Sequence, residues 1–136
     1  MILADTSAWV AYDRASDDGT ARRLRELIAA DGPLAVTEPV LMEVVAGAHR
    51  DRRESELRRL LARCRLLPFD AVADFDAAAR IYRLCRRAGI TPRGMVDCMI
   101  ASVARRHDAA LLARDADLSR VAGVVGISLD PASLRA

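Results

Sequence analysis

Met1-Ile2-Leu3-Ala4-Asp5-Thr6-Ser7-Ala8-Trp9-Val10 holds the local order on which the fold turns. Ile2-Leu3-Ala4 is a short apolar run that reads as a strand, Asp5 ends it, and Thr6-Ser7 starts a helix. Leu34-Ala35-Val36 reads as a second strand; Thr37 follows as a helix N-cap, with Glu38 and Pro39 in a first turn that continues through Val40-Leu41-Met42-Glu43-Val44-Val45-Ala46 to about Gly47. Ala110-Leu111-Leu112-Ala113 is a further compact strand, closed by Arg114-Asp115-Ala116-Asp117. Between these segments, helices are predicted over Gly19–Ala30, Arg52–Cys64, Val72–Ala88 behind an Asp70 cap, and Met95–Arg106. Leu66-Leu67-Pro68-Phe69 reads as an edge strand, because proline cannot donate to a sheet ladder, and Val124–Leu129 as a last strand broken by Gly126. Strands separated by helices, without hairpin signals, predict an α/β fold in three layers, a mainly parallel central sheet flanked by helices.

The 136 residues suit one domain, expected over 1–136, since domains of roughly 100–200 residues are usual. All 21 basic residues are arginine, against 19 acidic ones, for a formal charge of +2. The absence of lysine excludes a P-loop of the usual kind, a Schiff-base enzyme, and a receiver domain with its lysine. Arginine does not substitute, because it stays protonated. Cys64, Cys85 and Cys98 are scattered and odd in number, which speaks against a disulfide framework or a CxxC site and for reduced thiols. The N-terminus lacks signal-peptide features, and no apolar run approaches the roughly 18 residues of a membrane span, so a cytoplasmic protein without membrane association is expected.

Most of the carboxylates, Asp17, Asp18, Glu26, Asp51, Glu54, Glu56 and Asp74 among them, read as solvated surface or caps. Four have unusual contexts. Asp5 and Asp115 each end an apolar strand, and the C-terminal strand edge of an open parallel sheet is where ligands bind. Glu43 is the only charge between Val40 and Ala48, and Asp97 the only one between Gly94 and Ala104. An unpaired buried carboxylate is costly, so an interior acid implies a partner. With no lysine, and with His49 and His107 lacking ligand spacing, a hard divalent cation suits such an all-oxygen set. This predicts one cluster of Asp5, Glu43, Asp97 and Asp115. Singly, each acid has a plainer reading: Asp97 complements a helix N-terminus, and Asp115 caps the helix after it.

Asp5-Thr6-Ser7-Ala8-Trp9-Val10, Val40-Leu41-Met42-Glu43-Val44-Val45-Ala46-Gly47, Val96-Asp97-Cys98-Met99-Ile100-Ala101-Ser102-Val103-Ala104 and Leu111-Leu112-Ala113-Arg114-Asp115-Ala116-Asp117-Leu118 resemble the ordered motifs of PIN-domain ribonucleases, and more narrowly the VapC-type toxins of bacterial toxin–antitoxin pairs. The likeness spans nearly the whole chain. Arg114 departs from it slightly, standing where a smaller polar residue is also common. The resemblance implies a PIN-like fold, an endoribonuclease, and an acidic quartet of Asp5, Glu43, Asp97 and Asp115 that binds Mg²⁺ or Mn²⁺, with Ser7 and Asp117 in supporting positions. It further implies a homodimer and a cognate VapB-like antitoxin, in a heterotetramer or larger assembly. The antitoxin's C-terminal segment would cover the site with an arginine in the carboxylate cluster, and operator DNA would be met only through the antitoxin.

In the mechanism expected from these residues, Asp5, Asp97 and Asp115 hold metal directly or through water, with Asp117 as a secondary contact. Glu43 orients or deprotonates the attacking water. Arg93 and Arg114, next to motif segments, are the expected RNA contacts, since arginine pairs bidentately with phosphate and stacks on exposed bases. The arginine-rich stretch from Arg50 to Arg65 has two readings, RNA contact or a solvated helix face with Glu–Arg pairs. Trp9 reads as core, or with Tyr12 as part of a partner groove. Two other classes compete: a catalytically silent PIN-like binding module, and a phosphatase with Asp5 as nucleophile. The second lacks the DxD pattern, because position 7 is serine, and lacks the customary lysine.

Overall fold

The computed structural model describes residues 1–134. Its elements run β1 (Ile2–Ala4), α1 (Thr6–Asp13), α2 (Gly19–Ala29), β2 (Leu34–Val36), α3 (Glu38–Ala46), α4 (Asp51–Leu61), β3 (Arg65–Leu66), α5 (Ala71–Arg87), α6 (Met95–Arg106), β4 (Ala110–Leu112) and α7 (Ala116–Val125). The four strands form one sheet in the order β3-β2-β1-β4, and every pairing is parallel. Strands β1, β2 and β4 are almost wholly buried, and their continuous apolar runs suit a sheet covered by helices. Helices α1 to α4 pack in one chain of contacts and α5, α6 and α7 in another, with α3 also meeting α6.

The connection order places the topological switch between β1 and β4. From β1 the chain moves outward through β2 to β3, then returns to the other side of β1 as β4, in register Ile2 with Ala110 and Ala4 with Leu112. A crevice therefore opens beyond the C-terminal ends of these two strands, where Asp5 and Asp115 follow. Trp9 is buried on α1 and meets Tyr12 edge-on at 5.9 Å, which settles it as core. The three thiols are free, and burial pushes Cys64 and Cys98 up to about 11, so they stay protonated at neutral pH. No helix among the described residues is long and apolar enough to cross a membrane.

Three local expectations change. Val124–Leu129 is not a strand: α7 continues to Val125 and Gly126 ends it in the left-handed conformation (φ 74°), so only Leu129 remains to form a single parallel bridge with Leu111. Thr37 stands at the N-cap position of α3 but makes no side-chain cap bond, and its buried hydroxyl has no partner among the described residues. Asp74, read as solvated surface or a cap, does bond the N-cap residue of α5 but is 1% exposed rather than solvated. It lies on the buried stripe of α5 with Ala78, Ile81 and Cys85, and its carboxylate accepts from Ser102 Oγ (2.6 Å), Arg106 Nε (3.1 Å) and Nη2 (2.7 Å), and the Asp70 N–H (2.8 Å). Burial alone would raise its pKa, but these donors hold Asp74 below the usual carboxylate range.

Candidate active site

Each expected acid reaches the crevice from a different element. Asp5 is the N-cap of α1; its Oδ1 accepts from Ser7 Oγ at 2.6 Å and from the Ala8 N–H at 3.1 Å. Asp115 is the N-cap of α7, and its Oδ1 accepts from the Asp117 N–H at 2.9 Å. Glu43 lies half-buried on α3, and Asp97 half-buried in the first turn of α6, where the helix dipole favours a negative charge. All four line one cleft of about 640 Å³, together with Thr6, Ser7, Arg14, Arg93 and Arg114. The plainer readings hold at the same time: Asp115 caps α7 and Asp97 lies in the first turn of α6, and both line the cleft.

Two hydroxyls organise the acids. Ser7 donates to Asp5 and accepts the Arg114 N–H at 2.8 Å, so one side chain ties the end of β1 to the end of β4. Thr6 Oγ1 donates to Glu43 Oε1 at 2.5 Å, which fixes the α3 carboxylate against α1. Sequence reading missed Thr6, taking it only as a helix starter; its place directly after the strand-ending acid is the available signal.

Asp117 is buried and receives the Arg93 N–H on Oδ2 at 3.1 Å. Arg93 also places Nη2 2.7 Å from Asp115 Oδ1. Arg114 instead points Nε to Asp18 at 3.2 Å. The Arg50–Arg65 stretch is mostly the solvated face: Arg52 and Arg53 pair with Glu56, Arg53 also with Asp13, and Arg58 with Glu54.

Burial in the partly dry cleft, and then the crowding of acids there, oppose ionisation of two of them. Burial pushes Asp5 up to about 7, against the opposing hydrogen bonds of Ser7 and Ala8. Burial also pushes Asp97 up to about 6, helped by the Asp115, Glu43 and Asp117 charges and opposed by Arg93. Both groups would titrate near 3.8 when unfolded, so between pH 4 and 7 the folded, cation-free chain holds more protons than the unfolded one. Their contribution to stability is therefore full at low pH and is lost as pH rises through about 7. Removing the Ser7 hydroxyl strips Asp5 of a bond that favours its charged form. Ser7→Ala is expected to move the Asp5 titration upward, read as a carboxyl ¹³C chemical shift against pH; an unmoved midpoint would remove Ser7 from this role.

A sequence profile of the PIN domain matches residues 2–124. A VapC ribonuclease of Mycobacterium bovis is 43% identical over 136 residues, 99% of this chain and 100% of that protein. Ribonuclease VapC11 of Mycobacterium tuberculosis matches with the same identity and coverage. The chain belongs to the PIN-domain family, among the VapC ribonucleases. Its fold is also that of the solved VapBC2 complex from Rickettsia felis, bound to a DNA fragment from its promoter, at a TM-score of 0.73 and 21% identity, covering 98% of this chain and 99% of that one. In this PIN domain two strand-end acids, Asp5 and Asp115, and two helical acids, Glu43 and Asp97, line a single cleft.

Proposed function

We propose that this chain is the ribonuclease toxin of a toxin–antitoxin pair, hydrolysing RNA at the cleft bounded by Asp5, Glu43, Asp97 and Asp115 with Mg²⁺ or Mn²⁺, and neutralised by a VapB-like antitoxin. The observation that carries the reading is the approach of four carboxylates, on four elements, to one cleft with no lysine to balance them. An all-oxygen donor set fits a hard divalent ion. Among the described residues no three potential ligands already converge on one ion-sized point; Thr6 engages Glu43 Oε1, Ser7 and Ala8 engage Asp5 Oδ1, and Arg93 engages Asp115 Oδ1. Mg²⁺ keeps several of its waters, so one or two direct carboxylates with water-mediated contacts to the others would complete its shell.

A bound divalent ion supplies an acidified water and neutralises charge on the phosphate. Asp5, Asp97 and Asp115 would hold it directly or through water, with Asp117 as a secondary contact. Glu43, aimed by Thr6, takes the proton of the water that attacks phosphorus. Arg93 and Arg114 at the cleft rim bind the phosphates on either side of the scissile bond, which compensates for a net charge of only +2. The water oxygen bonds to phosphorus as the bond to O3′ breaks, so the fragments carry 3′-hydroxyl and 5′-phosphate ends. Purified protein incubated with total RNA and Mg²⁺ is expected to give discrete cuts with those ends, and none in EDTA. Cyclic 2′,3′-phosphate ends would assign the attack to the ribose hydroxyl and sink this mechanism; hydrolysis of a phosphate monoester without RNA cuts would favour the aspartate phosphatase.

The cation also sets a pH dependence. Metal must displace the protons that Asp5 and Asp97 retain up to about 7 and about 6. Thermal stabilisation by Mg²⁺ is therefore expected to be small at pH 5.5 and to grow to pH 8, while the metal-free protein becomes less stable over the same range. A Mg²⁺ shift independent of pH would contradict direct ligation by these two acids.

A further inference from the structure

Among the arginines that line the cleft, Arg93 enters the acid cluster itself. Its Nη2 lies 2.7 Å from Asp115 Oδ1, its Nε 3.8 Å from Asp117 Oδ2, and its own N–H donates to that same Asp117 oxygen. The acids are deep, with side chains 16% and 9% exposed, whereas the Arg93 side chain is 72% exposed and approaches from solvent. We infer that Arg93 is a resident counter-ion of the empty cleft, displaced by the divalent cation and thereby delivered to an RNA phosphate.

The inference rests on the metal-dependent reading above and adds an order of events to it. A guanidinium and a divalent ion compete for the same carboxylates, and a pair whose arginine side is open to solvent exchanges more readily than one buried on both sides. The backbone bond from Arg93 to Asp117 does not involve the guanidinium, so the residue stays at the rim while its side chain turns outward. The cluster therefore spends less time as bare repelling anions when empty. Once loaded, it presents a free arginine beside the ion. Arg114 differs, because its side chain is held on Asp18 rather than on the quartet.

Mn²⁺ affinity, read from the free-ion electron paramagnetic resonance signal at pH 7.5 without RNA, tests the first half of the exchange. Arg93→Ala is expected to bind Mn²⁺ roughly tenfold more tightly than wild type, about the effect of removing one close competing charge. Arg80→Ala, which removes the same charge from an exposed pair with Asp76, is expected to leave it unchanged. The second half is read with a hydrolysis-resistant phosphorothioate oligoribonucleotide: Mn²⁺ is expected to strengthen its binding to wild type and to lose most of that effect in Arg93→Ala. Equal or weaker Mn²⁺ binding by Arg93→Ala, or an equal gain in Arg80→Ala, would overturn the exchange while leaving the metal reading intact. No Mn²⁺ binding by wild type would overturn both.

Discussion

Asp97→Asn is expected to lower RNA cleavage by roughly 10³-fold, about 4 kcal/mol of lost transition-state stabilisation, while raising the melting temperature of the metal-free protein at pH 7.5. The two signs together are the diagnostic part. Asp97 is half-buried at the start of α6, where burial and the charges of Asp115, Glu43 and Asp117 already oppose its ionisation. Asparagine keeps the volume and removes the charge, so repulsion falls and the fold gains. The same change removes an anionic oxygen from the proposed cation site. A residue kept only to complement the helix N-terminus would show the opposite pattern, with a small loss of stability and unchanged cleavage. Measuring single-turnover cleavage and thermal unfolding on one preparation separates the two roles.

The largest effect on stability is expected far from that chemistry. Arg106→Ala leaves the Asp74 carboxylate buried with Ser102 and a backbone N–H but no counter-charge, a change that typically costs about 3–5 kcal/mol. Asp74→Ala is expected to cost less, because Arg106 is about one-third exposed and can turn its charge to water. Asp74 contributes stability above its unfolded pKa that is lost as pH falls through its lowered folded value, so the difference between wild type and Arg106→Ala shrinks in acid. The network sits at the first turn of α5 and the last turn of α6, opposite the end of α6 that carries Asp97. Folded Arg106→Ala is therefore expected to retain cleavage below its melting range. Urea unfolding at pH 7 and pH 2.5 checks both statements, and equal costs for the two variants at pH 7 would contradict the asymmetry.

The two acidic sites differ in how visible they are in the chain. Asp5 and Asp115 follow short apolar runs, and Glu43 and Asp97 stand alone in apolar helices, so local context marks all four. Asp74 has Asp70 and Asp76 for neighbours, which makes the segment look like a solvated helix start. Its helical spacing to Ala78, Ile81 and Cys85 is a buried-face signal that the sequence reading did not use, and its partners Ser102 and Arg106 lie 28 and 32 residues away. The same distance hides Arg93, whose adjacency to the third motif is visible but whose pairing with Asp115 is a tertiary event. The lost strand has another cause. Val124-Val125-Gly126-Ile127 satisfies a helix end and a strand equally, since periodicity cannot separate them over so few residues. Gly126 decides for the helix end by taking positive φ.

Crystals grown with Mn²⁺ and examined at a wavelength where manganese scatters anomalously test the central claim most directly. A peak is expected in the cleft between Asp5, Asp97 and Asp115, with Glu43 facing it and the Arg93 guanidinium turned away. Protein that cleaves RNA in Mn²⁺ yet shows no peak there, or shows its peak only elsewhere, would contradict the assignment of these acids as the cation site.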